Sequence, residues 1–343
     1  MTLTDPNGNL CDDDRSGVMA TDSLSGDERG RPVLDAARLS GALASRPGLW
    51  REVRVVEETG STNADLLARA RSGAGEGLVL VAEAQTSGRG RMGRRWISPP
   101  RRALTFSVLL RPAVPAGLLG WAPLLAGVAV ASALQQTAGV DARLKWPNDV
   151  LVDGAKIAGI LAERWGDAVV IGAGINVLQE RGELPVPTAT SLLVAQGAGP
   201  AGAGAAGPAE ARRAGPVEAW GEGPVEAWGE GQAGAPGLGA WADMRERLLT
   251  AVLDELARWY RAWLDQPQPG DADGCGLRAE YLRRSGTVGT AVTVMLPGGQ
   301  NLTGMAAGID TSGRLEIRTP AGLVQVSAGD VVHLRGTAPQ TAG

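Results

Sequence analysis

Apolar positions recur along this chain in two rhythms, and the changes of rhythm divide it. Runs of strand length, alternating or continuously apolar, fall at residues 53–56, 78–84, 104–110, 142–146, 150–152, 157–162 and 168–177, as half-buried and fully buried strands do. Asp153-Gly154 and Gly166-Asp167 separate the last three runs. Such dipeptides accept the positive φ angles of a tight hairpin, so these strands are predicted to be antiparallel neighbours. Helical spacing takes over at residues 34–44, 64–71 and 121–136, and again at 241–264, where Met244, Leu248, Leu249, Val252, Leu256 and Trp259 form one stripe. The pattern predicts an α+β fold, a mixed or antiparallel sheet flanked by helices.

Three stretches depart from it. Residues 1–31 are polar and aperiodic and are expected to be a disordered tail. Between 197 and 239 the chain turns Gly-, Ala- and Pro-rich and carries Gly-Pro-Val-Glu-Ala-Trp-Gly-Glu twice in tandem, at 215–222 and 223–230. That composition can bury little apolar area, so a flexible insertion is expected; two copies are too few for a solenoid. From 276 to 336 short strands alternate with turns at Pro297-Gly298-Gly299, Asp310-Thr311-Ser312-Gly313 and Pro320-Ala321-Gly322, a spacing that suggests a five-stranded barrel of SH3-like size. The expected organisation is therefore a tail over 1–31, a sheet-and-helix domain over 32–270 interrupted by the insertion at 197–239, and a barrel over 276–336.

Composition narrows the classes. With 44% hydrophobic and 20% charged residues, the chain reads as a soluble globular protein. A formal net charge of −4 disfavours a general nucleic-acid-binding role and leaves anion binding to local patches. Two cysteines, Cys11 and Cys275, make no disulfide framework and suit a reducing compartment; with no secretory signal at the N-terminus, a cytoplasmic protein is expected. Residues 113–134 approach the length of a bilayer crossing, but Pro115 and Pro123 interrupt them and Ala and Gly dominate; a buried core helix is the expectation, not a membrane span. Of the 33 basic residues only Lys145 and Lys156 are lysines, which leaves 31 arginines. In a chain so biased, a lysine marks a position that wants a compact point charge in place of a planar fork.

The residues that carry chemistry fall in three groups. Gln85-Thr86-Ser87-Gly88-Arg89-Gly90-Arg91-Met92-Gly93-Arg94-Arg95-Trp96 puts four arginines and three glycines in a loop directly after a strand. Glycines let backbone approach phosphate oxygens and guanidinium groups neutralise them, so the loop suits a polyanion. Gly88, Gly90 and Gly93 also have dinucleotide-fold spacing, but Ser98-Pro99-Pro100 follows where that motif would open a helix. Second, Lys145-Trp146-Pro147-Asn148-Asp149 ends one strand, and Lys156 sits on the far arm of the next hairpin. Taken alone these are a turn signal and an edge-strand lysine; the scarcity of lysine favours a charge aimed at an activated phosphate. Third, Gly60-Ser61-Thr62-Asn63 precedes a helix. By itself that is an N-cap, although its hydroxyls and amide can equally grip a neutral polar ring.

Together with Gly172-Ala173-Gly174-Ile175-Asn176-Val177, these motifs, in this order, resemble the biotin–protein ligase family over about residues 34–335. The resemblance implies a class II synthetase-like catalytic domain with a mixed or antiparallel sheet, plus a small SH3-like β-barrel C-terminal domain. It implies biotin and ATP as substrates with Mg²⁺, a biotinyl-5′-AMP intermediate, and transfer to a lysine of the biotin carboxyl carrier domains of acyl-CoA carboxylases. By the same resemblance Ser61, Thr62, Asn63 and Gln85 line the biotin pocket, and Gly88, Arg89, Gly90 and Arg91 form a loop ordering over the adenylate. Lys156 contacts the biotin carboxylate and the α-phosphate, and Lys156 and Arg91 are the catalytic pair. Asn148, Asp149 and Asn176 lie on the nucleotide side, Arg94 and Trp96 pack around ATP, and Arg335 reaches the nucleotide. The segment before the catalytic region is too short for the winged-helix domain of regulatory members. A monofunctional ligase without a nucleic-acid partner is expected, with a homodimer left open. The lone histidine, His333, excludes a Ser-His-Asp triad and a His-rich metal site, and no metal-ligand cluster is expected. Two other readings remain: a lipoate or octanoate ligase or transferase of the same fold, and a non-catalytic arginine-loop module for nucleic acid.

Overall fold

Residues 33–44, 48–197, 241 and 243–334 are described by the computed structural model of the chain. The predicted tail with Cys11, the tandem octapeptides and Arg335 lie outside the described residues.

Seven strands form the larger sheet: β1 (Glu52–Thr59), β2 (Leu78–Gln85), β3 (Ala103–Leu110), β4 (Arg143–Lys145), β5 (Asp149–Val152), β6 (Ala155–Trp165) and β7 (Ala168–Asn176). Their order is β1-β2-β3-β7-β6-β5-β4. Only β1 and β2 run parallel, because a helix, α2 (Thr62–Arg71), must carry the chain back between them. Both predicted hairpins form. Asp153 and Gly154 take φ 50° and 77° between β5 and β6, and Gly166 takes φ 59° between β6 and β7.

Strand alternation gives this sheet two unlike faces. Leu104, Phe106 and Val108 of β3 and Ile171, Ala173 and Ile175 of β7 are buried in the main core, with α3 (Trp121–Ala138) and α5 (Met244–Leu264) packed over them; the short helices α1 (Ala36–Ala44) and α4 (Leu192–Ala195) add Leu39, Leu43, Leu192 and Leu193 to the same core. The apolar segment Ala116–Ala138 is long enough to cross a bilayer, but 72% of its most apolar window is buried inside the protein, which accounts for it as a core helix. On the opposite face α2 seals one end, setting Leu66, Leu67 and Ala70 on Leu80, Leu109 and Val170. The remainder of that face carries small and polar residues.

A short helix, α6 (Leu277–Arg284), occupies the start of the region read from sequence as strands. Only Leu277 and Tyr281 of it are buried, so its apolar stripe is too narrow to register as periodic. Five antiparallel strands follow: β8 (Ala291–Met295), β9 (Asn301–Ile309), β10 (Leu315–Thr319), β11 (Gly322–Val326) and β12 (Asp330–His333), in the order β11-β10-β9-β8-β12. The turn between β9 and β10 docks on the larger sheet's core. Trp121 Nε1 donates to Thr311 O at 2.8 Å and Trp146 Nε1 to Gly313 O at 3.1 Å. A Cβ at Gly313 would lie 2.9 Å from the Gly120 carbonyl carbon, so only glycine permits this approach.

Among the described residues, the ion pair between α5 and β2 is wholly interior. Arg245 of α5 pairs with Glu83 of β2, their side chains 3% and 2% exposed, and Glu83 also accepts from Leu34 N at 2.7 Å. Removing one partner of such a pair strands a buried charge. Arg245→Met is expected to cost about 3–5 kcal/mol of stability, whereas E83Q/R245M should regain much of it; urea unfolding of the two variants checks this.

Candidate functional site

The open face of the larger sheet is floored by glycine. Across three neighbouring strands the registers run Ser107↔Gly172↔Leu161 and Thr105↔Gly174↔Gly159. A Cβ on Gly172 would lie 2.1 Å from Asn63 Oδ1, and one on Gly174 2.2 Å from the Trp96 indole. On Gly159 it would lie 3.3 Å from both Lys156 Nζ and the Trp96 ring. Missing side chains thus create a trough in which Asn63, Trp96 and Lys156 lie in a row.

At one end of the row sits a cluster of neutral polar side chains, with the Glu163 carboxylate at its edge. Ser61 adopts an extended φ of −162° and caps α2, accepting from Ala64 N at 3.5 Å. Capping points Thr62 and Asn63 inward from the first turn. Thr62 donates through N and Oγ1 to Gln85 Oε1 at 2.8 and 3.1 Å. Ser107 Oγ donates to Asn63 Oδ1 at 2.6 Å and lies 2.7 Å from Thr62 Oγ1. Asn63 Nδ2 donates to Leu161 O at 3.2 Å and Glu163 Oε2 at 2.8 Å. A buried network satisfied in this way holds its donors and acceptors rigidly. Ser107 and Glu163 were not singled out from the sequence; a hydroxyl within the otherwise apolar stretch of β3 was the available signal for Ser107, and Glu163 gave none.

The arginine loop folds back on itself and opens no helix. Trp96 N donates to Gly88 O at 2.9 Å and Gly90 N to Arg94 O at 2.6 Å, closing a hairpin whose turn uses left-handed Met92 (φ 54°) and Gly93 (φ 76°). With Leu161 and Glu163, residues 87–95 line a cavity of about 560 Å³. Arg89 reaches Glu163 at 3.9 Å. Arg94 Nη2 pairs with Asp330 at 2.8 Å, and Arg91 Nη2 reaches Gly329 O at 3.5 Å, so the loop leans on β12 and the turn before it. Arg91 Nε and Trp96 Nε1 are buried without a hydrogen-bond partner. Burial pulls the Arg91 pKa down, opposed by the Asp330 charge.

At the far end lie the lysines. Lys156 Nζ pairs with Asp149 Oδ1 at 2.6 Å, and Lys145 stands opposite Asp149 in the β4–β5 register. Burial also lowers the Lys145 pKa, with the Asp149 charge opposing. The structure therefore gathers Thr62, Asn63, Gln85, Arg91, Arg94, Trp96, Asp149 and Lys156 around one trough. Two predicted nucleotide-side residues are engaged internally: Asn148 Nδ2 donates to Ile160 O at 2.9 Å, while Asn176 donates to Thr190 O at 3.0 Å and accepts from Gln179 Nε2 at 3.0 Å. Among the described residues no group of three or more His, Cys, Asp or Glu side chains could hold a metal ion. Asp330, missed from the sequence, enters because the smaller sheet docks here.

His333 lies near the lysine end, its Nε2 3.2 Å from Thr287 Oγ1, which accepts from Trp146 N at 3.1 Å. Burial first, and the Lys145 charge second, hold its pKa below the ordinary 6.5. The unfolded chain then binds this proton more tightly, so stability contributed by neutral His333 is present above pH 6.5 and drains away as pH falls toward the folded value. As the only histidine it can be titrated by proton NMR. Lys145→Gln is expected to raise its pKa, and an unmoved titration would show the two charges to be uncoupled.

Residues 55–176 match the Biotin/lipoate A/B protein ligase family, and residues 287–334 match the biotin protein ligase C-terminal domain. The chain is 41% identical over 314 residues to the biotin–[acetyl-CoA-carboxylase] ligase of Mycobacterium tuberculosis, spanning 90% of this chain and 98% of that one. It is 32% identical over 284 residues to the ligase of the same name from Paracoccus denitrificans, spanning 81% of this chain and 98% of the relative. Among solved structures it resembles the Aquifex aeolicus biotin protein ligase in complex with biotin and ATP, with a TM-score of 0.59 and 25% identity over 84% of this chain and 100% of that one. The fold is thus that of the biotin and lipoate ligases. Within that class the chain belongs to the biotin–protein ligase family.

Proposed function

We infer that this chain activates biotin with ATP and transfers it to a lysine of a carrier domain. One observation carries the reading: a neutral polar cluster and a cationic cluster lie at opposite ends of a single glycine-floored trough, with an indole between them. The neutral end, Thr62, Asn63 and Gln85 braced by Ser107, offers donors and acceptors to an uncharged ring of the ureido kind. Ser61 supports it by capping α2. The cationic end receives a carboxylate and a phosphate, two anions that repel one another until Lys156, Arg89 and Arg91 offset their charge.

In the first step a biotin carboxylate oxygen attacks the α-phosphorus of ATP. A new O–P bond forms, the bond from the α-phosphorus to the bridging oxygen breaks, and pyrophosphate leaves with the electron pair. In the second step the neutral amine of an acceptor lysine attacks the carbonyl carbon of the mixed anhydride. An amide forms, AMP leaves, and the amine proton passes to solvent. Holding the reactants together supplies most of the acceleration. Asp149, paired with Lys156, orients its ammonium group toward the trough. The nucleotide-side roles of Asn148, Asp149, Asn176, Arg94, Trp96 and Arg335 belong to the same proposal, the two asparagines acting through the backbone they brace. Mg²⁺ fits as an ion carried by the nucleotide's phosphates, since such an ion needs few protein ligands; it would neutralise phosphate charge. The acceptors proposed are biotin carboxyl carrier domains of acyl-CoA carboxylases, and the half-buried thiol of Cys275 suits a cytoplasmic enzyme.

Incubation with biotin, MgATP and a carrier domain, read as a mass increase on the carrier, tests the function directly; lipoate accepted in place of biotin would favour the lipoate-ligase alternative. Lys156→Ala is expected to fold and to lose ATP–pyrophosphate exchange by about a hundredfold or more, the usual scale for a lost transition-state charge contact. Exchange near the wild-type rate would remove Lys156 from the chemistry. Arg91→Gly should release adenylate into solution, seen as biotinylation of lysines on bystander proteins, and a variant that labels only its carrier would remove the loop's sequestering role.

A further inference from the structure

We propose that Lys145 is a pyrophosphate-binding residue: with Arg91 it holds the β- and γ-phosphates of the nucleotide and retains them as they leave. The proposal rests on the ATP-dependent reading above and extends it to a residue that reading does not use.

Arg91, Arg94, Lys145 and Lys156 share one cluster with only two carboxylates, Asp149 and Asp330. Both carboxylates are already committed, Asp149 to Lys156 at 2.6 Å and Asp330 to Arg94 at 2.8 Å. Lys145 and Arg91 are left over: among the described residues neither side chain makes an ion pair, and Arg91 Nε has no hydrogen-bond partner. Half-buried cations whose neighbouring carboxylates are already paired with other cations are unfavourable unless a ligand supplies further negative charge, and burial outweighs those carboxylates in depressing the pKa of both. The leftover charge calls for an anion of at least two negative charges, as pyrophosphate is.

Reading across the sheet, the neutral cluster lies over β7, Lys156 rises from β6, and Lys145 stands on β4, beyond β5. In a displacement at phosphorus the leaving group departs opposite the attacking oxygen. A carboxylate arriving from the β7 side and meeting the α-phosphate at Lys156 therefore expels pyrophosphate toward β4, where Lys145 is. In a chain with 31 arginines and two lysines, a lysine kept beside fully buried Leu144 and Trp146 is a compact charge where a guanidinium would need more room.

The test compares Lys145→Gln, Lys145→Met and Lys145→Arg in the full-length protein with three probes: ATP, inorganic pyrophosphate and a non-hydrolysable biotinyl-adenylate analogue. Loss of a charged contact predicts that the two neutral variants bind ATP roughly tenfold more weakly and resist inhibition by pyrophosphate to a similar degree. The analogue, which lacks the departing phosphates, is expected to bind them as it binds wild type, and this also reports that they fold. Lys145→Arg should recover part of the pyrophosphate inhibition. Parallel weakening of ATP and analogue, or wild-type pyrophosphate inhibition in the neutral variants, would overturn the proposal. A wild-type protein that makes no biotinyl adenylate would instead sink the functional reading beneath it.

Discussion

The site depends on side chains that are absent. Gly159, Gly172 and Gly174 strip one face of β6 and β7 down to backbone, and an indole, an amide and an ammonium group lie down in the space. A methyl group at Gly172 or Gly174 would displace Asn63 or Trp96 outright. The opposite face of the same strands is filled conventionally by Ile171, Ala173 and Ile175 against α3 and α5. One strand thus serves packing with its odd-numbered positions and recognition with its even-numbered ones, because a strand's residues alternate between faces.

A second layer of organisation joins the two sheets through the site. Indole N–H groups from Trp121 and Trp146 fix the β9–β10 turn, and that docking brings Gly329 and Asp330 under the arginine loop. Trp146 also belongs to the segment that bears Lys145 and Asp149. The smaller sheet therefore contributes a carboxylate to a cluster otherwise built by the larger one, and the loop's resting position is set by both.

Much of this was legible in the residues. The hairpins at Asp153-Gly154 and Gly166-Asp167, the core helix at 121–136 and the short-stranded C-terminal region follow from period and turn chemistry, which are local. The loop and both lysines announced themselves by composition. What escaped depends on long-range register: Ser107 matters because Gly172 is its neighbour and Asn63 lies above it, Glu163 because β6 brings it beneath α2, and Asp330 because a distant turn docks. Asn148 and Asn176 also stood out in their motifs, but that their Nδ2 groups hold the backbone of Ile160 and Thr190 depends on long-range register and not on the motif. α6 was hidden because two buried residues do not make a period.

The scarcity of lysine has a consequence of its own. An activated acyl group that strays from its pocket attacks whatever primary amines are nearest, and the nearest surface is the enzyme's. Here that surface is clothed in guanidinium groups, which stay protonated and do not acylate at neutral pH. The only two ammonium side chains in the chain are confined to the trough, one of them held by Asp149. A protein that manufactures a lysine-reactive compound is thereby nearly devoid of targets for it, and spares itself from its own product.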